Sequence, residues 1–298
     1  MKKVAIFGQA YKNTDRQYFE ILIENLNKYH IEILIHKGFV TILDDLGVDN
    51  LNYKTFTNYH DLDNSFDILF TLGGDGTILN AATLVKDLKI PILGINTGRL
   101  GFLATVQKKE IRDTIKSLIS EEYTIQERAV LQVQTNDTSI DLNNVDFALN
   151  EVTIARKNST SMIKVEAYLN DEYLTTYWSD GLVIATPTGS TGYSLSCHGP
   201  IIMPESNNFV LTPIAPHNLS ARPLVIPDTT VIKLKIIGRE KEFFLSLDSR
   251  VSTVPFEIEL TLKKAKFPMK IIQLNQQTFI ETLREKLFWG EDKRNYTS

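Results

Sequence analysis

Apolar runs of strand length alternate with helical patterns over roughly the first hundred residues. Residues 16–29 and 78–88 carry apolar side chains at helical spacing, which predicts two amphipathic helices. Runs with the length of buried strands occur at residues 4–7, 31–35, 67–72 and 90–95. This alternation predicts a Rossmann-like α/β domain with a parallel sheet and right-handed crossovers. The mixed polar stretch over residues 38–65 allows no firm assignment.

The pattern changes at about residue 123, where short runs of β-branched and aromatic residues take over. These runs occur at residues 129–134, 147–155, 162–169, 174–178, 182–185, 209–212, 231–237, 243–247 and 256–262. Asn170-Asp171, between two of the runs, predicts a hairpin turn. Many short strands at close spacing predict an antiparallel, β-sandwich-like domain.

A helical pattern returns after the β-rich part of the chain. Its apolar positions share one face, and they are Phe279, Ile280, Leu283, Leu287 and Phe288. A lone helix cannot bury such a face, so we expect this segment to pack back on the first domain. The predicted organisation is an N-terminal α/β domain over residues 1–103, completed by residues 274–298, and a C-terminal β-rich domain over residues 104–273.

Composition is typical of a globular protein with an ample core. Of the 298 residues, 43% are hydrophobic and 23% are charged. The net charge of −4 gives no general attraction to nucleic acid or to an anionic membrane, so we expect neither as a partner and expect any phosphate site to be local. No apolar run approaches the length of a membrane span. Cys197 is the only cysteine, which excludes an internal disulfide and indicates a cytoplasmic protein.

The candidate chemistry of the first domain centres on a glycine-rich turn. The run at residues 67–72 ends in Gly73-Gly74-Asp75-Gly76-Thr77, and a helical pattern follows. Glycines let the backbone approach a ligand closely, and free N–H groups at a helix N-terminus attract anions. A carboxylate repels phosphate, so Asp75 indicates metal binding or proton abstraction. A tight turn with Asp75 as the N-cap is the plain structural alternative.

A second glycine-punctuated loop, at residues 96–103, follows the run at residues 90–95. The carboxyl ends of parallel strands meet at one edge of a sheet. If the two strands are neighbours, the loop and the Asp75 turn should therefore face each other across one cleft.

Polar residues interrupt the β-rich half at three places. Asn150 and Glu151 stand inside the apolar run 147–155, so one of them must face inward and needs partners, unless Glu151 lies at an exposed edge. Residues 178–196 combine Asp-Gly, a short strand and a loop of Thr, Gly and Ser around Tyr193. The hydroxyls and N–H groups of this loop suit the binding of a nucleotide. A generic turn is the structural alternative. In the proline-rich stretch 213–226, Arg222 would reach a phosphate or close a core ion pair.

Together these segments resemble the NAD kinase family. The segments that carry the resemblance occur in the order of the family, at residues 73–77, 96–103, 150–151, 179–196, 199–200, 217–225 and 248–249. Gly-Gly-Asp-Gly alone is shared with diacylglycerol and sphingosine kinases and with phosphofructokinases. The Thr-Pro-Thr-Gly-Ser-Thr run with its upstream Asp-Gly is more specific to NAD kinases.

The resemblance implies an active site between the two domains and transfer of the ATP γ-phosphate to the 2′-hydroxyl of the adenosine ribose of NAD, which gives NADP. It also implies Mg²⁺ and a homo-oligomer, a dimer or tetramer. Asp75 would act as the general base. No side chain is assigned as a metal ligand. The residues implied for NAD binding are Asp75, Gly76, Asn150, Glu151, Asp180, Thr191, Gly192, Tyr193, Ser194, Leu195 and Ser196.

Some positions depart from the commonest family pattern. Gly192 stands where alanine is usual, and Trp178 stands where many bacterial members have a basic residue. Arg250 replaces a glutamine or similar residue, and we hypothesise that it supplies positive charge to NAD. A lipid or sphingoid-base kinase and a dinucleotide-binding regulatory protein without turnover are the rival functions. The loop at residues 180–196 argues against the first, and the intact Asp75 argues against the second.

Overall fold

The computed structural model describes residues 1–9, 15–48, 52–136, 140, 145–157, 162–218, 220–238, 241–274 and 278–288. The chain divides into two compact units: unit 1 comprises Met1–Gln126 with Lys270–Ser298, and unit 2 comprises Glu127–Met269. Parts of the predicted C-terminal segment (275–277 and 289–298) and Leu219 of the proline-rich stretch lie outside the described residues.

Unit 1 is organised on a mainly parallel sheet with helices in its crossovers. Its strands are β1 (Lys3–Gly8), β2 (Glu32–His36), β3 (Lys54–Phe56), β4 (Ile68–Gly73), β5 (Ile92–Asn96), β6 (Val106–Gln107), β7 (Tyr123–Arg128) and β20 (Met269–Leu274). Its helices are α1 (Arg16–Lys28), α2 (Lys37–Asp45), α3 (Asp75–Val85), α4 (Ile111–Ile119) and α6 (Phe279–Leu287). The strand order is β3-β2-β1-β4-β5-β20-β7, with β6 beside β5. The predicted α/β domain with a parallel sheet is confirmed.

Two details of unit 1 differ from the prediction. The unassigned stretch 38–65 contains most of α2 and all of β3, where Phe39 and Leu43 are buried. Helix α3 begins at Asp75, three residues before the predicted start, because Gly74 is the N-cap and the glycine turn itself forms the first helical turn.

Unit 1 also continues past the predicted boundary at residue 103, to Gln126. The apolar face of α4, which includes Ile111 and Ile115, belongs to the same buried cluster as Phe19 of α1. The boundary therefore follows α4 instead of preceding it. Helix α6 lies in unit 1 as expected, and the rings of Phe279 and Phe102 are 5.9 Å apart.

Unit 2 is an antiparallel β-sandwich. Its strands are β8 (Leu131–Thr135), β9 (Phe147–Ala148), β10 (Glu151–Arg156), β11 (Ile163–Leu169), β12 (Glu172–Ser179), β13 (Gly181–Ala185), β14 (Asn208–Ile214), β15 (Leu224–Pro227), β16 (Ile232–Ile237), β17 (Glu242–Leu247), β18 (Arg250–Pro255) and β19 (Glu259–Lys264). One sheet has the order β15-β14-β13-β10-β17-β18 and another the order β12-β11-β16-β19-β8-β9. A short helix, α5 (Tyr193–Ser196), follows β13.

One turn of unit 2 was predicted from the sequence, and another interrupts a run that was predicted to be a single strand. Asn170 and Asp171 have φ of 50° and 69° and join β11 to β12 as a two-residue hairpin, as predicted. The run 147–155 is not one strand, because the chain bends at Leu149 and Asn150 between β9 and β10. That bend takes Asn150 out of the strands, whereas Glu151 is the first residue of β10 and pairs with Ala185.

Candidate functional site

The Asp75 carboxylate joins the two glycine loops of unit 1. Strands β4 and β5 are parallel neighbours, with Gly73 opposite Asn96 in the register, so the two loops emerge side by side as predicted. Asp75 Oδ2 accepts the N–H of Phe102 at 2.8 Å, and Oδ1 accepts those of Leu103 at 3.0 Å and Ala104 at 2.9 Å. Asp75 is therefore not the N-cap of α3; its side chain reaches across to the second loop.

Close packing on one side of Asp75 contrasts with open space on the other. A Cβ atom on Gly101 would overlap the Asp75 carboxylate, so glycine is required there for the loop to approach. A Cβ atom on Gly74 or Gly76 would meet no described atom within 4 Å. The outer face of the glycine turn is thus free for a ligand, and the helix start behind it favours an anion.

In unit 2, Asn150 and Glu151 lie against the loop that contains Gly192 and Tyr193. A Cβ atom on Gly192 would be 2.8 Å from Glu151 Oε2 and 3.4 Å from Asn150 Nδ2. The Tyr193 N–H also hydrogen-bonds the Glu151 carboxylate. The structure therefore brings these four predicted residues together, and glycine at position 192 leaves room for the carboxylate.

Some buried polar atoms around this loop have unused hydrogen-bonding capacity. Among the described residues, the buried atoms Asn150 Oδ1, Glu151 Oε2 and Thr188 Oγ1 have no hydrogen-bond partner. Glu151 is only 8% exposed, so the interpretation of an exposed edge is wrong. Burial, together with the nearby Asp248 carboxylate, raises the pKa of Glu151 to about 7, against the opposing effect of the Tyr193 N–H. Buried polar atoms without partners indicate a place where a ligand completes the hydrogen bonding.

The bend at residues 149–150 is held by Asp248, which was outside the predicted site residues. Its Oδ1 accepts the N–H groups of Asn150 at 2.7 Å and Glu151 at 3.2 Å, and its Oδ2 accepts that of Leu149 at 3.1 Å. Burial nevertheless raises the pKa of Asp248. Asp248 has φ of 54°, and an Asp-Ser pair directly after an apolar strand run was the available signal for such a turn.

Arg250 also contacts the residues that form this bend. Its Nε donates to the carbonyl of Leu247 at 3.1 Å, its Nη2 donates to that of Phe147, and its Nη2 lies 3.5 Å from Asp248 Oδ2. These contacts give the residue a structural role, in contrast to the hypothesis that it supplies charge to NAD.

The remaining predicted residues of unit 2 differ in how deeply they are buried and in which residues they contact. Asp180 is half-buried and pairs with Arg156 at 3.0 Å, a partner that the sequence pattern did not reveal. The Ser194 hydroxyl is buried and lies 2.8 Å from Thr212 Oγ1, so it supports the loop from within. Thr191 and Leu195 are half-buried, whereas Ser196 and the ring of Tyr193 are exposed.

Trp178 and Arg222 lie at the surface. Trp178 is 45% exposed, with the Lys164 ammonium 4.1 Å from its ring centroid. Arg222 donates to the carbonyl of Ala221 and is exposed, so it does not lie in the core.

The two units together define a class of protein. A parallel α/β unit carries a carboxylate in a glycine turn, and a β-sandwich unit carries a hydroxyl-rich loop beside buried unpartnered polar atoms. This combination is that of a two-domain kinase that acts on a nucleotide. The model of the ATP-NAD kinase N-terminal domain matches residues 5–123, and that of the ATP-NAD kinase C-terminal domain matches residues 149–274. The chain belongs to the NAD kinase family, whose members are phosphotransferases with an alcohol group as acceptor.

Similar proteins match this chain over almost its whole length. NAD kinases of Christiangramia forsetii and Flavobacterium psychrophilum are 50% and 51% identical over 98% of this chain and 100% of their own. The crystal structure of yeast NADH kinase complexed with NADH has a TM-score of 0.83 at 25% identity, covering 98% of this chain and 89% of that one. An Archaeoglobus fulgidus NAD kinase in complex with ATP shares the fold, with a TM-score of 0.72 at 24% identity over 96% of this chain and 98% of that one. These relatives support neither a lipid or sphingoid-base kinase nor a regulatory protein without turnover.

Proposed function

We propose that this chain transfers the γ-phosphoryl group of ATP to the 2′-hydroxyl of the adenosine ribose of NAD, with Asp75 as the general base. The observation that carries the base assignment is the geometry of the Asp75 carboxylate. A carboxylate offers about four acceptor positions. Backbone N–H groups fill two on Oδ1 and one on Oδ2, so Oδ2 keeps one position for a substrate hydroxyl.

The reaction balances without a further reactant. The ribose O–H bond breaks, and its proton passes to Asp75 Oδ2. The ribose oxygen forms a bond to the γ-phosphorus while the bond from that phosphorus to the bridging oxygen breaks, so that ADP leaves. Such a transfer depends mainly on position and on stabilisation of charge, which suits a base fixed by three backbone hydrogen bonds.

We assign NAD recognition to the two groups of predicted residues. Asp75 and Gly76 are contributed by unit 1, where the turn is open on its outer face. In unit 2, the unpartnered Asn150 Oδ1 and Glu151 Oε2 would take hydrogen bonds from NAD, and the exposed Tyr193 ring would pack on it. The remaining NAD contacts are proposed at Asp180, Thr191, Gly192, Leu195 and Ser196, with Ser194 as internal support.

The residues fit a magnesium ion that is bound chiefly by substrate. In the described ranges, no three His, Cys, Asp or Glu side chains come together as a cage. Mg²⁺ usually keeps several waters and binds through one or two carboxylates and substrate phosphates, so no cage is needed. When bound, the ion would neutralise phosphate charge. We propose that the ATP phosphates hold it beside the glycine turn.

The assembly and location remain predictions. A homo-oligomer, a dimer or tetramer, is proposed from the family, and gel filtration with light scattering would measure its size. The cytoplasmic location is proposed from the single cysteine. Within the described ranges, no helix combines the length and apolarity that a membrane crossing requires.

The test is NADP formation by the purified chain with NAD, ATP and Mg²⁺, beside an Asp75→Asn variant. We expect the wild type to form NADP and the variant to be slower by at least about a hundredfold, because asparagine cannot accept the proton. Asp113→Asn, an exposed change in α4 of the same unit, is the matched control and should keep the wild-type rate. Equal rates for Asp75→Asn and the wild type would remove Asp75 as the base, and absence of NADP from the folded wild type would overturn the reaction.

A further inference from the structure

The loop that holds Asp75 is itself fixed by a second side chain, that of Asn96. Asn96 Nδ2 donates to the carbonyl of Arg99 at 2.7 Å and to that of Ala104 at 3.2 Å, and Oδ1 accepts the N–H of Gly98 at 2.7 Å. The N–H of Thr97 reaches the carbonyl of Gly73 at 3.3 Å. The backbone of Arg99 is therefore fixed next to the glycine turn, three residues before the N–H groups that bind Asp75.

Arg99 is the only charged side chain between Asn96 and Ala104. It is exposed, and within the described ranges it forms no ion pair. Two other cations of unit 1 near this loop already have partners, and Lys108 Nζ also donates to the carbonyl of Thr97 at 3.5 Å. Lys108 Nζ lies 2.8 Å from Asp15, and Lys286 Nζ lies 5.7 Å from the centroid of the Phe102 ring. The backbone of Arg99 is thus fixed close to the turn, and in the described part of the chain no carboxylate forms an ion pair with its exposed side chain.

The proposed reaction creates a need for such a cation. The Asp75 carboxylate and the donor phosphates are both negative, so their approach is opposed by repulsion. In the transition state of phosphoryl transfer, charge is spread over the equatorial oxygens of the transferred group. A guanidinium presents a planar fork of donors that matches two phosphate oxygens, and it keeps its charge at any working pH.

We propose that Arg99 is a further catalytic residue, which binds the non-bridging oxygens of the γ-phosphoryl group while that group passes from ATP to the ribose hydroxyl. This inference rests on the proposed function. Arg99 exchanges no proton and forms no covalent bond in the step. It offsets the charge of Asp75 and stabilises the phosphoryl group from the same loop that fixes the base.

The test compares steady-state kinetics of the full chain with those of Arg99→Ala and Arg99→Lys. We expect Arg99→Ala to lower kcat by about a hundredfold or more, because one transition-state donor is lost, with little change in KM for NAD. Arg99→Lys should fall between the two, since it keeps the charge without the fork. Millimolar guanidinium chloride should restore part of kcat to Arg99→Ala but none to Asp75→Asn.

Arg112→Ala is the matched control, because Arg112 is an exposed arginine in α4 whose contact with Glu24 is 4.0 Å long. It should keep wild-type kinetics. A kcat of Arg99→Ala within about twofold of the wild type, or a rise in KM for ATP alone, would overturn the catalytic role while leaving the kinase reaction intact. Failure of the wild type to make NADP would instead overturn the proposed function, and the role of Arg99 with it.

Discussion

At the scale of single residues, the buried carboxyl of Glu151 couples folding to pH. Its ordinary pKa is 4.5, and in the folded chain it is about 7. Between these values the unfolded chain has already lost the proton that the folded chain retains. Stability from this group is therefore complete below about pH 4.5 and is lost as the pH rises through about 7.

A Glu151→Gln variant should remove this dependence. From about pH 4.5 to about pH 8, the wild type should lose about 3 kcal/mol of unfolding free energy relative to the variant, which corresponds to the shift of the pKa. Urea unfolding across this range measures the difference. An exposed carboxyl in the same unit, Glu242, provides the control Glu242→Gln. A constant difference between wild type and Glu151→Gln at every pH would contradict the assignment.

Single residues of the site could be predicted from the sequence, but their partners could not. Asp75 and Glu151 were identifiable because a charged group interrupts an apolar or glycine-rich run. Their fixed surroundings were not, because Asp248 lies 97 residues from Glu151 and Phe102 lies 27 from Asp75. Such partners are set by strand register, and Arg99 was passed over for the same reason.

At the scale of elements, the β17–β18 hairpin stabilises the bend at residues 149–150. Asp248 in its turn binds three N–H groups of the bend, and Arg250 at its other side binds the carbonyl of Phe147. The polar residues at the bend therefore keep their positions because of a hairpin distant in sequence.

Arg250→Ala should destabilise the chain by about 3 kcal/mol, because it leaves buried carbonyls and the buried Asp248 without their partner. Thermal or urea unfolding measures the effect. Lys157→Ala, which removes a surface pair with Glu242, is the control and should cost less than about 1 kcal/mol. If Arg250→Ala unfolds like the wild type but binds NAD more weakly in calorimetry, Arg250 contacts NAD as first hypothesised.

Element by element, the long buried strands and the Asn170-Asp171 hairpin were readable from the sequence, because burial on both faces and turn chemistry are local signals. The edge strands β15 and β18 were missed. Each has polar or exposed residues, such as Val251 at 57% exposure, so no apolar run marks them.

At the scale of the whole molecule, unit 1 is discontinuous. Strand β20 follows unit 2 in the chain, yet it lies between β5 and β7, with Ile271 paired to Ile92. Ile271 and Ile272 are buried. The apolar pattern predicts the return of a helix but not of this strand, because residues 269–274 continue the β-rich pattern.

A chain that ends at residue 268 should fail to complete the sheet of unit 1. We expect fast amide exchange in β5 and β7 of that truncation, and retained protection in β10, β13 and β17 of unit 2, measured by hydrogen exchange with mass spectrometry. A chain that ends at residue 278 keeps β20 and loses α6, and it should protect β5. Equal protection of β5 in both truncations would show that β20 is dispensable.

This placement of β20 has a consequence for synthesis on the ribosome. All strands of unit 2 emerge before β20 does, so unit 2 can fold while the first sheet still lacks an interior strand. The carboxylate of Asp75 stands at the end of β4, the neighbour of β5, in that unfinished sheet. Translation that stops early should thus release a chain with a formed sandwich and an incomplete catalytic loop, and activity should appear only after β20 has been made.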